Sequence, residues 1–169
     1  MRRPLVFTLM VLLGIGIDLC SKWYVFARLG KAEVYKLIPE VLHVTPAQNT
    51  GVAFSWLKDW PGLILCVSFV AVGVLTWIYA AHWRKARALT IVVLGLLLVG
   101  AAGNLVDRVF VGHVRDFIDF VPHIPLIGHW AVFNVADMCI TVGVALYVLG
   151  EIVAARGGGH ESAPSASRR

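Results

Sequence analysis

Four long apolar stretches constrain the fold of this chain more than any other feature of its sequence. They cover approximately residues 5–25, 63–81, 88–106 and 130–155. An α-helix needs about 20 mostly apolar residues to cross the hydrocarbon core of a bilayer. Only 15% of the residues are charged, whereas soluble domains usually carry about a quarter. We therefore expect an all-α integral membrane protein, a four-transmembrane-helix bundle that forms a single domain.

The segments between the apolar stretches predict the rest of the architecture. Residues 28–60 contain a β-branched, partly alternating piece around 34–45, which predicts a small strand-rich cap. Residues 113–120, in the third connection, are expected to form an interfacial half-helix. The tail, residues 156–169, is rich in Gly, Ser and Ala, and we expect it to be disordered.

The distribution of positive charge predicts the orientation of the bundle. Four spans place both termini on one side of the membrane, together with the short connection between the second and third spans. That connection carries Arg84, Lys85 and Arg87 without a neighbouring acid, so the positive-inside rule predicts cytoplasmic termini and an extracytoplasmic cap. The net charge of +5 is interpreted as contact with lipid head groups. No nucleic-acid partner is expected, because the basic residues form no stripe interleaved with aromatic residues.

This orientation brings polar residues from three spans and two connections into one layer near the extracytoplasmic face. Asp18 and Lys22 are four positions apart, and Asn134 and Asp137 are three apart, so each pair shares a helix face. A charge that faces lipid is costly, and we therefore expect these faces to turn inward. The layer comprises Asp18, Lys22, Asn49, Gly51, Gly103, Asn104, Asp107, Arg108, Asn134 and Asp137.

Carboxylates are the leading candidates for catalysis at this layer. Two carboxylates that share a proton can activate a water molecule and protonate a leaving amine. The sequence has no HExxH motif, nucleotide-binding loop or serine nucleophile elbow, and we expect neither a metal nor a cofactor. We interpret Asp107 as an ion-pair partner of the adjacent Arg108. The residues alone leave the choice of a catalytic pair open among four carboxylates, Asp107, Asp116, Asp119 and Asp137.

Functions other than hydrolysis also fit parts of the pattern. Buried carboxylates mark ion pathways, so an ion or proton-coupled membrane transporter is the main alternative. The one-sided polar layer argues against it, as does the second span, whose only common polar side chains are Ser68 and Thr76. A non-enzymatic scaffold that binds lipid or a partner helix is a third possibility. The irregular spacing of His113, His123 and His129 argues against a metal site.

Five short blocks, spread from residue 18 to residue 137, carry a resemblance to a known family. They read DLCSK at 18–22, NTGVAF at 49–54, GNLVDR at 103–108, VRDF at 114–117 and FNVAD at 133–137. These blocks resemble the signature motifs of bacterial prolipoprotein signal peptidases (signal peptidase II), in the order found in that family. One block alone is weak, but all five on a four-span chain of this length make the resemblance specific.

The resemblance implies a membrane aspartyl endopeptidase whose catalytic pair is Asp116 and Asp137. It also implies the substrate, a prolipoprotein that is cut just before a lipobox cysteine already carrying diacylglycerol. We expect one of the two carboxyls to be protonated in the working enzyme, because two ionised carboxylates in a partly dry site repel each other. The other matched residues are implied to bind substrate or brace the pair, with Asp107 structural: Asp18, Lys22, Asn49, Gly51, Gly103, Asn104, Arg108 and Asn134.

The family likeness also predicts the setting of the enzyme. We expect a monomer in the bacterial cytoplasmic membrane, with its site near the extracytoplasmic face and with lipidated precursors and membrane lipids as its partners. One position departs from the family pattern. Leu19 follows Asp18 where the family usually has Gln, which affects the contacts of that side chain and not the proposed chemistry.

Overall fold

Four long helices dominate the fold. The computed structural model describes residues 2–30, 33–51, 60–122 and 130–157. The helices are α1 (Arg2–Arg28), α2 (Pro61–His82), α3 (Ala88–Phe110) and α4 (Val135–Gly157). All four are long and apolar enough to cross a membrane. The predicted four-helix membrane bundle is therefore confirmed.

Helix α3 is the centre of the bundle and packs against α1, α2 and α4. Its approach to α4 is close at Gly100, where an added Cβ would overlap Ile140 and the carbonyl oxygen of Ala136. Small residues allow such close helix pairing in membranes. The half of the bundle nearest the start of α1 is filled by an apolar core of Phe7, Val11, Leu94, Leu98 and Val99.

A three-stranded antiparallel sheet lies at the end of the bundle where α1 and α3 terminate. Its strands are β1 (Tyr35–Ile38), β2 (Leu42–Asn49) and β3 (Val114–Phe120), in the order β1-β2-β3. Strands β2 and β3 both contact α1. The chain passes from α3 into β3 through Gly112, whose φ of +84° favours glycine. The strand-rich part of the predicted fold is confirmed by the β1–β2 hairpin.

The predicted interfacial half-helix at residues 113–120 is wrong, because Val114–Phe120 is strand β3. One edge of β3 pairs with β2, a partner far away in the sequence. The other edge pairs with Phe133, whose backbone exchanges two hydrogen bonds of 2.8 and 3.0 Å with Ile118. Local patterning could not reveal either partner, yet the β2 ladder and the Phe133 bridge supply hydrogen-bond partners on both edges of β3 and hold it extended.

The helix ends differ from the predicted spans by up to a turn and a half. Helix α4 begins at Val135 instead of residue 130, because Phe133 pairs with β3 before the helix starts. Helix α3 continues past residue 106 to Phe110. The first two residues of the predicted tail, Arg156 and Gly157, still belong to α4. The rest of that tail and residues 52–59 of the predicted cap lie outside the described residues.

Candidate active site

The carboxylate of Asp116 lies on β3 and is held by two side-chain amides. Strand pairing places Asp116 opposite Ala47 on β2, which brings the nearby Asn49 into reach. Asn49 Nδ2 donates to Asp116 Oδ2 at 3.0 Å, and Asn134 Nδ2 donates to Oδ1 at 2.6 Å. Asp116 is only 2% exposed, so these neutral donors take the place of water around the carboxylate.

Asp137 belongs to a reciprocal cap at the start of α4. The backbone N–H of Asp137 donates to Asn134 Oδ1 at 3.0 Å, and the backbone N–H of Asn134 donates to Asp137 Oδ2 at 3.1 Å. This is the geometry of a capping box, which satisfies two backbone donors that the helix itself cannot. The cap therefore fixes the orientation of the Asp137 carboxylate.

Two asparagine side chains join the carboxylates into one network. The Asn134 amide donates to Asp116 while its oxygen caps Asp137, so a single side chain orients both carboxylates. Asn104, on α3, donates from Nδ2 to Asp137 Oδ1 at 2.8 Å. Its Oδ1 accepts a 3.1 Å hydrogen bond from Asn134 Nδ2. The carboxylate pair is thus fixed by three structural elements, β3, α3 and α4.

A second buried cluster consists of ionic side chains from α1, α3 and β3. Lys22 Nζ lies 2.7 Å from Asp18 Oδ2 and 3.4 Å from Asp107 Oδ2. The Arg115 guanidinium reaches Asp107 Oδ1 at 2.6 Å, and the Arg115 backbone N–H donates to Oδ2 at 2.9 Å. The side chains of Asp18, Lys22 and Asp107 are all 0% exposed. Burial of these charges is tolerated because each has an opposite charge and further hydrogen bonds.

The ionic cluster is connected to the carboxylate pair at two points. Asp18 Oδ1 accepts a 2.9 Å hydrogen bond from the backbone N–H of Ala136, the second residue of α4. Lys22 Nζ donates to Asn104 Oδ1 at 3.1 Å, which directs the Asn104 amide nitrogen towards Asp137. An added Cβ at Gly103 would lie 2.5 Å from Asp18 Oδ2. The glycine therefore leaves the room that Asp18 needs to cap α4 from another helix.

Arg108 lies between the carboxylate pair and the turn that follows β2. In that turn the backbone N–H of Gly51 donates to Asn49 Oδ1 at 3.0 Å. Arg108 Nη2 donates to the carbonyl oxygen of Gly51 at 3.3 Å. The guanidinium also interacts electrostatically with Asp137 and Asp116. Arg108 thus supplies positive charge at the pair and ties the turn to α3.

Burial raises the pKa of Asp116 to about 6, and repulsion from the Asp137 carboxylate acts in the same direction. The hydrogen bonds from Asn49 and Asn134 and the charge of Lys22 oppose this rise. A carboxyl with a pKa near 6 exchanges its proton close to neutral pH, which suits acid–base catalysis. The expectation that one carboxyl of the pair carries a proton agrees in direction with this raised pKa.

A cavity of about 920 Å³ opens beside the carboxylate pair, between α2, α3 and α4. Asp116 and Asp137 line it together with Asn49, Asn104 and Arg108. The rest of its wall is mostly apolar and includes Ile64, Ala71, Gly100, Trp130, Met138 and Val142. The cavity can therefore take an apolar ligand and bring part of it against two carboxylates.

The sequence-predicted residues separate into two groups in the structure. Asp116, Asp137, Asn49, Asn104 and Arg108 line the cavity. The others lie outside the cavity wall and contact the lining residues or one another: Asp18, Lys22, Gly51, Gly103, Asp107 and Asn134.

One interpretation of a single residue needs correction, and one candidate carboxylate lies away from the cavity. Asp107 pairs with Arg115 and Lys22 instead of Arg108, because adjacent residues on an α-helix point about 100° apart. Asp119 is buried and accepts a 3.0 Å hydrogen bond from Thr45, and it does not line the cavity.

Sequence reasoning missed several contributors to the site. The Asn134–Asp137 capping box carries a readable signal, an Asn followed three positions later by an acid before an apolar run. Arg115 and the backbone of Ala136 carry no such signal, since their roles depend on partners from distant elements. The apolar cavity wall could not be predicted either, because the sequence pattern does not distinguish an apolar residue that faces lipid from one that faces a cavity.

Comparison with known proteins places these residues in a family. Residues 10–153 match the family model described as "Signal peptidase (SPase) II". The chain is 33% identical over 148 residues to a lipoprotein signal peptidase of Shouchella clausii, covering 88% of this chain and 93% of that one. It is 41% identical over 125 residues to a lipoprotein signal peptidase of Chlorobaculum tepidum, covering 70% and 75% of the two chains.

Two solved structures share the fold. Both are described as bacterial membrane enzymes. One superposes with a TM-score of 0.77 at 23% identity, covering 96% of this chain and 94% of the other. The second superposes with a TM-score of 0.70 at 26% identity, covering 86% and 91%. Because the family model matches residues 10–153 and the relatives match most of its length, this chain belongs to the signal peptidase II family of aspartic-type membrane peptidases.

Proposed function

We propose that this protein removes the signal peptide from diacylglyceryl-modified prolipoproteins, by cutting just before the lipidated cysteine. The observation that carries the proposal is the pair Asp116 and Asp137, held by one Asn134 side chain at the wall of an apolar cavity between membrane helices. Relatives named lipoprotein signal peptidase support the substrate class. A lipidated cysteine and an apolar signal segment are both chemically suited to such a cavity.

Asp137 is proposed as the general base and Asp116 as the general acid. The capping box holds the Asp137 carboxylate at the start of α4, where it lines the cavity, whereas the raised pKa of Asp116, about 6, makes its carboxylate easier to protonate than an ordinary aspartate. Ionised Asp137 takes a proton from a water molecule as the water oxygen bonds to the scissile carbonyl carbon, and Asp116 gives its proton to the carbonyl oxygen. Asp137 then protonates the leaving nitrogen, the C–N bond breaks, and Asp116 recovers its proton from the second hydroxyl as the new carboxyl group forms.

The remaining cavity-lining polar residues are proposed to position the substrate. Asn49, Asn104 and Arg108 face the same cavity as the carboxylates, so they can hydrogen-bond a peptide backbone that lies across the pair. The ionic cluster of Asp18 and Lys22 is proposed to brace Asp137 through Ala136 and Asn104. Because one chain supplies all of these groups, a monomer suffices.

The orientation in the membrane follows from the basic connection between α2 and α3. Arg84, Lys85 and Arg87 support a cytoplasmic location for that connection and for both termini. The carboxylate pair is at the opposite end of the helices and is therefore proposed to face the extracytoplasmic leaflet of the bacterial cytoplasmic membrane. A lipidated precursor held by its signal helix and its acyl chains would present its scissile bond at that depth.

The proposal is tested with purified full-length protein and a diacylglyceryl-modified prolipoprotein, by following the mobility shift on a gel. Cleavage before the lipidated cysteine is expected for the wild type. It should be lost in Asp116→Asn and Asp137→Asn and absent for the same precursor without its lipid. Thr45→Val is a matched control, because it removes a hydrogen bond to Asp119 on the same sheet without touching the pair. A wild type that binds the precursor and never cuts it would refute the proposal.

A transporter is less consistent with these contacts. The apolar core of Phe7, Val11, Leu94, Leu98 and Val99 fills the bundle below the carboxylates. On α2, the hydroxyls of Ser68 and Thr76 are bonded to the backbone of their own helix. Proton or ion flux through proteoliposomes that depends on Asp116 and Asp137, in the absence of cleavage, would favour transport instead.

A further inference from the structure

The β1–β2 hairpin presents an apolar edge that no part of the sheet covers. All four residues of β1 are exposed, and three of them are the large apolar residues Tyr35, Leu37 and Ile38. Val34 before the strand and Val41 after the turn are exposed as well. The register of β1 against β2 shifts between Lys36 and Ile38, and the apolar side chains on both sides of this irregularity are exposed. A long exposed apolar edge strand in water is an aggregation hazard, which indicates that something shields this one.

The position of β1 in the fold indicates what shields it. The sheet order runs from β1 through β2 to β3, and Phe133 adds a further bridge on the far side of β3. The sheet rests on α1 through β2 and β3. Among the described strands β1 is therefore the outer rim of the sheet, on the side away from the start of α4.

The end of α1 places this rim close to the membrane surface. Trp23 and Tyr24 are exposed near that end, and the Arg28 guanidinium lies over the Tyr24 ring at 5.5 Å. Trp60 before α2 and Phe110 at the end of α3 are exposed at the same end of the bundle. Exposed aromatic residues with adjacent arginine are typical of the interface between lipid and water. Strand β1 starts only a short way along the chain from this aromatic level.

We propose that the β1–β2 hairpin lies in the interface of the lipid leaflet at the sheet end of the bundle, with Leu37 and Ile38 in contact with lipid. No strand among the described residues pairs with the outer backbone edge of β1, and hydrocarbon does not tolerate unpaired backbone polar groups. The hairpin therefore lies at the depth of the head groups and the first acyl carbons. The charges of Lys36 and Glu40 near the tip are compatible with that depth. This contact would hold the sheet, and with it Asn49 and Asp116, at a constant depth.

The test is lipid quenching of a fluorophore attached to the full-length protein in liposomes of phosphatidylethanolamine and phosphatidylglycerol. Cys20, Cys66 and Cys139 are first replaced by alanine, because they are free thiols. A fluorophore is then placed at Leu37→Cys or, separately, at Ile38→Cys, both of which are exposed on β1. Val67→Cys on the exposed surface of α2 is the lipid-facing reference, and Gln48→Cys on β2 is the water-facing reference.

The proposal expects head-group-labelled lipid to quench the fluorophore at Leu37→Cys, at Ile38→Cys or at both. This quenching should be much stronger than the quenching at Gln48→Cys. Deep-labelled lipid should quench the Val67→Cys fluorophore more than either hairpin fluorophore, because the hairpin stays at the interface. Quenching at both hairpin positions as weak as at Gln48→Cys would overturn the proposal. Efficient disulfide formation between two copies of Leu37→Cys, with no lipid quenching, would also overturn it and would identify a second copy of the chain as the occupant. None of these readouts depends on the proposed peptidase activity.

Discussion

The two buried clusters at the sheet end of the bundle hold their carboxylates in different ways. In the ionic cluster, Asp18 and Asp107 are contacted by Lys22 and Arg115, and every carboxylate oxygen has a hydrogen-bond or ion-pair partner. In the carboxylate pair, Asp116 accepts its hydrogen bonds from side-chain amides. Its carboxylate also faces a cavity, whereas the ionic cluster does not.

This difference distinguishes the carboxylates that stabilise the fold from the carboxylate that is proposed to transfer a proton. A carboxylate enclosed by cations gains its stability from a fixed charge and has no room for a substrate or a water molecule. A carboxylate held by neutral amides keeps its orientation, but burial and a like-charged neighbour raise its proton affinity. The raised pKa of Asp116, about 6, is the result of the second arrangement. The clusters should therefore respond to mutation in opposite ways.

The largest expected effect is the loss of activity in Asp116→Asn, without a matching loss of stability. The substitution removes the transferable proton and should lower kcat by about 10²–10⁴-fold, the usual contribution of a general acid or base. It also removes a charge that is costly to bury, so we expect a thermal unfolding temperature near that of the wild type. Gel-based cleavage and thermal unfolding in the same detergent check both halves. A folded variant with wild-type kcat would contradict the assignment of Asp116.

Lys22→Met should show the opposite pattern, with a large loss of stability. Removing one partner of a buried ion pair costs about 3–5 kcal/mol, because the remaining charge is left uncompensated. Among the described residues, Asp18 would lose the one cation with which it forms an ion pair, and Asp107 would keep its pairing with Arg115. Denaturant or thermal unfolding measures the effect. The double variant Asp18→Asn with Lys22→Met should recover part of the lost stability, and a double variant as unstable as the single one would contradict this account.

The sequence predicted the spans and the inward-facing polar residues, but it did not predict which side chains pair with each other. Hydropathy predicts the spans because water and lipid sort side chains along the whole length of a helix. The cost of a charge in lipid predicts that Asp18, Lys22 and Asn104 turn inward, and the structure brings them into contact. The partners within the layer were not predictable from local patterning. The pairing of Asp107 with Arg115 depends on a turn at Gly112 and on a strand that the local sequence presented as a half-helix.

Asn134→Ala should lower both kcat and the free energy of unfolding, each to an intermediate degree. The side chain caps α4 and also donates to Asp116 and Asn104. Loss of an N-cap side chain costs about 0.5–2 kcal/mol, and loss of the shared amide should also lower kcat by misorienting the pair. Unfolding and cleavage measured on the same sample check this expectation. Thr45→Val is the control for a lost side-chain hydrogen bond on the sheet, and it should leave kcat unchanged.

The smallest expected effect is a shift of pH dependence in Asn49→Ala. If Asp116 must hold its proton, kcat/KM should fall as pH rises through the folded-state pKa of about 6. The hydrogen bond from Asn49 stabilises the ionised carboxylate and lowers this pKa. Its removal should therefore move the alkaline limb upward by up to about one pH unit, because the net contribution of a single hydrogen bond is about 0.5–1.5 kcal/mol and one pKa unit is about 1.4 kcal/mol. The pH profile of kcat/KM for the variant and the wild type measures the shift. A profile that stays flat from acid to alkaline pH would show that Asp116 does not act through a titrating proton, and a downward shift would show that Asn49 does not stabilise its ionised form.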